Sequence, residues 1–327
     1  MMINLRSLPL VLALAISFVA VGLTPASGQI PPRFYWKSLI GGNAVPVIGM
    51  FLSGNANPLD PSHTVLDGSF EANVALVGYA RTFPLFDRAA HVAVLAPMGR
   101  ISGEVAFRGR PFSEDASGFG DPLFEFDLNL IGPKVIRNIP DLARYEPGFS
   151  LDILADLIIP IGEYDNEQPL NMGQNRWYGR IGAPIVWQLG PWVPGRRTTL
   201  EFIPSLWLYG DNDDFVGSKL STDPMFQLES HFTRDLHPHL WGSFDVNWMT
   251  GGSATRDDGV PGDALNSLTL GLTLGYHIND NLQLTAGYMA TVNDNEPTDL
   301  RLDGFIVSLT FGWHPLIEQM KRLQGGP

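Results

Sequence analysis

Apolar and polar residues alternate along most of this chain. In Leu265–His277 (LNSLTLGLTLGYH) the positions Leu268, Leu270, Leu272, Leu274 and Tyr276 share one face, and Ser267, Thr269, Gly271, Thr273 and His277 share the other. Leu282–Val292 and Phe305–Trp313 repeat the pattern. Successive side chains of a strand point to opposite faces, so a period of two predicts strands with one apolar and one wet face. Twelve such segments are predicted, near 44–53, 69–83, 89–105, 119–131, 148–161, 176–189, 198–210, 223–234, 239–250, 265–278, 281–292 and 302–314. Each reaches the ten or so residues that a tilted membrane strand needs.

The connections alternate in length. Gly54–Gly68, Phe107–Gly118, Glu163–Asn175, Asp211–Thr222, Gly251–Ala264 and Asn293–Leu300 are long, and most are acidic. Phe86-Asp87-Arg88, Leu236-His237-Pro238 and Asn279-Asp280-Asn281 are tight; Gly132–Pro147, with a short helix expected at Ile139–Tyr145, and Gly190–Arg197 are longer. Short periplasmic turns alternating with long outer loops mark an outer-membrane barrel. Trp177, Trp248 and Tyr288 fall at the expected outer strand ends, and Trp187, Tyr276 and Trp313 at the inner ends. They predict two interfacial girdles. The expected fold is therefore an all-β, transmembrane antiparallel β-barrel of about twelve strands, apolar outside and polar inside, in a Gram-negative outer membrane. A soluble sandwich is the rival.

The N-terminus adds an export signal. Arg6, the apolar run Leu8–Leu23 and the small residues Ala26-Ser27-Gly28 read as a cleaved signal peptide, 1–28. Residues 29–43 then form a short periplasmic segment, long enough only for a small stopper; 44–314 form the barrel, and 315–327 a periplasmic tail. There are no cysteines, which excludes disulfides and thiolate metal sites. A formal charge of −13 argues against nucleic acid.

Charged residues inside the strands fall on the wet phase. The expected lumen lining is Glu71 and Arg81 on the second strand, Arg100 on the third, Glu125 and Asp127 on the fourth, and Asp152 and Asp156 on the fifth. Arg176 and Arg180 follow on the sixth, Glu201 on the seventh, Glu229 and His231 on the eighth, and Asp245 on the ninth. A bulge at Pro97-Met98-Gly99 would make the phase of the third strand ambiguous, but Arg100 is expected to face inward. A basic side chain facing lipid at mid-depth would cost about 2–4 kcal/mol. Arg176 and Arg180 are expected to pair with Asp152 and Asp156. The charges either pair off and plug the barrel, or line a path for solute.

No nucleophile elbow, zinc-protease helix or phosphate loop is present. His237 and His239, two apart in a tight turn, could touch a metal, but turn histidines are usually solvated. Asp211-Asn212-Asp213-Asp214 lacks the full spacing of a calcium loop. No catalytic residue, metal or cofactor is expected. The expected partners are outer-membrane lipid and lipopolysaccharide, the barrel-assembly machinery and a small-molecule solute.

Several motifs resemble a known family. Phe34-Tyr35-Trp36-Lys37, Gly54-Asn55-Ala56-Asn57-Pro58, Ala75-Leu76-Val77-Gly78-Tyr79-Ala80-Arg81, Gly118-Phe119-Gly120-Asp121-Pro122, Tyr145-Glu146-Pro147-Gly148, Pro160-Ile161-Gly162-Glu163-Tyr164 and Phe311-Gly312-Trp313-His314 resemble outer-membrane transporters labelled MetA pathway of phenol degradation. The resemblance implies a barrel encoded near genes for degrading aromatic compounds, with a role in their uptake. It supplies no catalytic or ligand-contact residues. The expected function is passive uptake of small apolar or aromatic compounds. A lipid or lipopolysaccharide hydrolase and a structural or adhesive barrel with acidic outer loops are the alternatives.

Overall fold

The structure, a computed structural model, describes residues 30–57, 60–64, 68–107, 110–293 and 300–325. The expected signal peptide and most of the Asn293–Leu300 loop lie outside the described residues, as does part of Gly54–Gly68. Twelve antiparallel strands close into one barrel. They are β1 (Asn43–Gly54), β2 (Gly68–Leu85), β3 (Arg88–Phe107), β4 (Arg110–Phe119 with Leu123–Ile131), β5 (Phe149–Ile158) and β6 (Tyr178–Gly182 with Ile185–Gln188). The others are β7 (Thr198–Tyr209), β8 (Met225–His237), β9 (Leu240–Gly251), β10 (Leu265–His277), β11 (Leu282–Thr291) and β12 (Leu302–Trp313). β12 closes on β1 without a break, from Asn43↔Trp313 to Gly54↔Leu302. Both halves of β6 bridge β5 and β7.

The two ends differ. Phe86-Asp87 and Pro238-His239 join neighbouring strands at the end where β1 begins and β12 stops. Short turns mark that end as periplasmic. At the opposite end the long connections carry structure of their own. Asn212–Phe215, Ser218–Thr222 and Ala254–Arg256 form a three-stranded outer sheet.

One expected outer loop, Phe107–Gly118, is mostly strand. Arg110–Phe119 pairs with the upper half of β3 in unbroken register, from Met98↔Phe119 to Phe107↔Arg110. The wall of β2–β4 therefore rises well above the span that lipid requires. β3 holds no bulge at Pro97-Met98-Gly99, because its pairing with β2 is continuous. Pro97 is accommodated differently. Its carbonyl accepts from Gly120 N–H (2.9 Å), so its missing donor falls on the β4 side, where β4 is interrupted between Phe119 and Leu123.

Two of the sequence motifs meet at this interruption. Asp121 accepts from Gly162 N–H (2.8 Å) and Gln174 N–H (2.7 Å), and Glu163 N–H donates to Phe119 O (2.8 Å). Gly118 has φ +136°, a backbone conformation that favours glycine, and sits against the Glu163 carboxylate. The knot fixes loop residues Leu170 and Met172, both buried, in the outer mouth.

The apolar phase faces outward through the lipid span. Leu272, Leu274 and Tyr276 are exposed, as are Trp177, Trp187, Trp248 and Tyr288 at the expected girdle heights. A small apolar cluster closes the periplasmic end. Leu39, Ile136, Leu142 and Ile317 pack together. They join the N-terminal segment to α1 (Ile139–Ala143) and α2 (Pro315–Gly325). The expected C-terminal tail is thus largely this second helix.

A plugged lumen as the candidate functional site

The barrel interior has two unlike halves. Most inward residues of β1–β3 are apolar, with Ile48, Met50, Phe70, Leu76, Leu95 and Ile101 all buried; His91 on β3 is an exception. Those of β4–β9 carry the charge. Glu125, Asp127, Asp152, Glu201, Glu229, His231 and Asp245 are each at most 2% exposed, and Asp156, Arg176 and Arg180 at most 5%. Ten of the thirteen expected lining residues are therefore buried, although Arg176, expected on the sixth strand, lies just before β6 and under the outer sheet.

Glu71, Arg81 and Arg100 do not. All three face outward and are exposed. On β2 the inward phase is Phe70, Ala72, Val74 and Leu76. Glu71 and Arg100 stand on the part of the wall above the lipid, where water lies outside and the interior is packed with Leu170 and Met172. The alternation inverts there, and Arg100 pairs with Asp115 across the outer surface (3.4 Å). Arg81 sits opposite Asn43 at the periplasmic rim. In both places a charge reaches water without crossing hydrocarbon.

Residues 30–42, expected on the periplasmic side, fold up inside the barrel. Ile30 N–H donates to Glu229. Arg33 N–H and Trp36 Nε1 donate to the two oxygens of Glu201 (3.0 and 2.8 Å). The Arg33 guanidinium pairs with Asp235 (2.6 Å) and lies 4.3 Å from the Trp36 ring centroid and 4.7 Å from that of Trp241. Lys37 pairs with Asp152 and approaches Asp127 (3.8 Å). Phe34 packs edge-on against His91 (5.1 Å), whose two ring nitrogens face Glu125 (2.7 Å) and Asp127 (3.3 Å). Gly41 N–H to Thr82 O (2.9 Å) and a contact of His314 Nε2 with Ile40 O (2.8 Å) anchor the foot of the segment.

The plug thus supplies cations that an acidic wall needs. Arg180 does as expected with Asp156 (2.6 Å), and it also reaches Glu229 (2.7 Å). Asp152 instead takes Lys37 and Asn129, and Arg176 donates to Thr222 (2.7 Å). His231 pairs with Asp245 (2.8 Å), which also accepts from Thr273 (2.6 Å). Most of these buried charges meet a partner of opposite sign, the condition under which burial is tolerable, although Glu125 Oε2, Asp127 Oδ2 and Asp156 Oδ1 accept no hydrogen bond.

Arg33, Lys37, His91, Arg197 and Asp235 belong to this network but were absent from the expected lining. Asp235 lies one residue past the expected end of the eighth strand. Arg33 and Lys37 lie outside any strand, so strand periodicity is silent about them. The available signal was charge balance: the expected inward acids outnumber the inward bases.

The plug does not fill the interior. Beside Ile30, Pro31 and Pro32 runs a narrow, partly open cleft with a volume of about 40 Å³. Its wall is Ile48, Met289 and Ile306 with Thr273, Thr285 and Ser308, and Asp245 at one side. It lies along β10–β12 and β1.

Among the described residues no group of three His, Cys, Asp or Glu side chains could hold a metal ion. His237 and His239 stand 6.0 Å apart between ring centroids. Asp211 pairs with Lys219 (2.7 Å).

Comparison with known proteins agrees with the architecture. A crystal structure of an outer membrane channel from Pseudomonas putida F1 superposes with a TM-score of 0.65 at 20% identity, covering 89% of this chain and 99% of that one. The transport unit of the autotransporter AIDA-I from Escherichia coli (TM-score 0.42, 10% identity, 94% and 96% covered) and the NanC porin (0.41, 9%, 82% and 98%) are more distant. Among curated proteins none matches the sequence significantly. The family described as "Putative MetA-pathway of phenol degradation" matches residues 53–309. A twelve-stranded outer-membrane barrel whose sequence matches over that length is a member: the chain belongs to this family.

Proposed function

We propose that this protein is a passive outer-membrane channel for small apolar or aromatic solutes, which travel in the cleft between the plug and β10–β12. One observation carries the reading. The cleft beside the plug lies against aliphatic side chains and hydroxyls, with a single carboxylate at its side. The strongly charged half of the lumen is occupied by the plug's own side chains. A ring bearing one hydroxyl group would meet Ile48, Met289 and Ile306 on its faces, and Thr273, Thr285 or Ser308 at its polar atom. A sugar would have to shed water from many hydroxyls against a wall offering few replacements, which is costly. The family's description, phenol degradation, supports the same solute class. The reading requires no bond to be made or broken.

The test is uptake by cells depleted of general porins. Expression of the protein should speed entry of a radiolabelled monohydroxylated aromatic, also in de-energised cells, and leave a labelled pentose unchanged. Equal acceleration of both solutes would overturn the assignment.

A further inference from the structure

At the periplasmic rim, α2 does not lie flush against the barrel. It leaves a cleft of about 800 Å³ bounded by Asp280, Asn281, Phe311, Trp313, Glu318 and Lys321. Its floor is firmly built. Asn281 Nδ2 donates to Gly312 O and Gly312 N–H donates to Asn281 O, both at 2.7 Å, tying the β10–β11 turn to β12. Its far wall is held by Ile317, which is fully buried in the apolar cluster below the barrel.

We propose that this cleft binds one zwitterionic phospholipid of the periplasmic leaflet, by its ammonium and phosphate groups. Three observations converge. The first is position. Phe311 is 49% exposed on the lipid face of β12, and Leu309, Val307 and Phe305 continue that exposed face up the same strand. Acyl chains lying on that face would place their headgroup at the cleft, at the height of the Trp313 girdle. The second is charge. Lys321 reaches Asp280 (3.1 Å), and Glu318 shares the cleft. One ammonium and two carboxylates complement a ligand carrying both signs: phosphate at Lys321, ammonium at Glu318 and Asp280. An anionic headgroup without an ammonium would meet unopposed carboxylates. The third is the helix itself. Leu316 and Leu323, seven residues apart and so on one helical stripe, remain exposed at 37% and 85%. Exposed leucines beside basic residues suit a helix lying in the membrane interface.

The test uses the full chain, purified in detergent, delipidated and offered phosphatidylethanolamine, phosphatidylglycerol or phosphatidylcholine, with native mass spectrometry as readout. The parent should retain one phosphatidylethanolamine in preference to phosphatidylglycerol. Phosphatidylcholine, whose ammonium cannot donate hydrogen bonds, should rank below phosphatidylethanolamine. Lys321→Glu should weaken retention roughly fivefold, the scale of one half-exposed charge pair. Glu318→Gln should erase the preference over phosphatidylglycerol. The heat-resistant barrel band on a gel identifies folded variants, and either substitution suffices should the other not fold. Equal retention of all three lipids by the parent, or undiminished retention by a folded Lys321→Glu variant, would overturn the proposal. Neither result bears on solute uptake, which runs through the lumen.

Discussion

Deleting residues 30–40 should convert a narrow conductance in planar bilayers into one several-fold larger and more cation-selective. The segment occupies the charged half of the lumen and contributes Arg33 and Lys37 to it. Without it, Glu201 and Glu229 lose backbone and indole donors, Asp152 loses its cation, and Asp235 keeps only Arg197 of its two arginines. Stranding a buried ion in a dry interior costs about 3–5 kcal/mol. The emptied lumen admits water, however, so these carboxylates are rehydrated and the barrel stays folded. Their uncompensated charge then attracts cations. An unchanged conductance would mean that Leu170 and Met172, fixed in the outer mouth, close the path without the plug.

The second large effect concerns the outer wall. Leu272→Arg should destabilise the barrel by about 2–4 kcal/mol in lipid. Leu272 is 66% exposed, between Phe244 and Tyr288 on the neighbouring strands, so a guanidinium there would sit among apolar side chains in hydrocarbon. Thr273→Arg, one residue on, should be much milder. Thr273 borders the inner cleft and donates to Asp245, which offers an added cation a counter-charge. Urea unfolding of the two variants in lipid vesicles makes the comparison. Equal and large losses would contradict a lipid-facing Leu272.

These two substitutions also mark what strand periodicity reveals. On β10 the two faces differ sharply, with Leu272, Leu274 and Tyr276 against Thr269, Gly271 and Thr273, so face and phase are legible together. On β2 both phases are apolar over Val74–Val77, and the phase has to be inferred from the ends. The ends mislead, because Glu71 stands above the lipid and Arg81 at its lower rim, where charge faces water on either side of the wall. The same extension of the wall hides Arg110–Phe119, whose polar residues read as a loop. Inward Glu125, Asp127, Asp152 and Asp156 were legible because Phe124, Phe126, Ile153 and Leu157 alternate with them. The plug was not, since Pro31-Pro32-Arg33-Phe34-Tyr35-Trp36-Lys37 has no strand period and takes its conformation from the wall around it. Its turns, Phe34 N–H to Pro31 O and Trp36 N–H to Arg33 O, are both 3.3 Å, and the wall contacts outnumber them.

The claim that apolar solutes pass beside the plug is tested most directly by filling that space. Ile306 faces the cleft from β12, and Leu309 faces lipid from the same strand. The decisive quantity is the initial rate of uptake of a labelled monohydroxylated aromatic in porin-depleted cells expressing Ile306→Trp or Leu309→Trp at matched levels of folded barrel. Ile306→Trp should lose most of the protein-dependent rate, and Leu309→Trp should keep it. A folded Ile306→Trp variant with the parent's rate would contradict passage beside the plug.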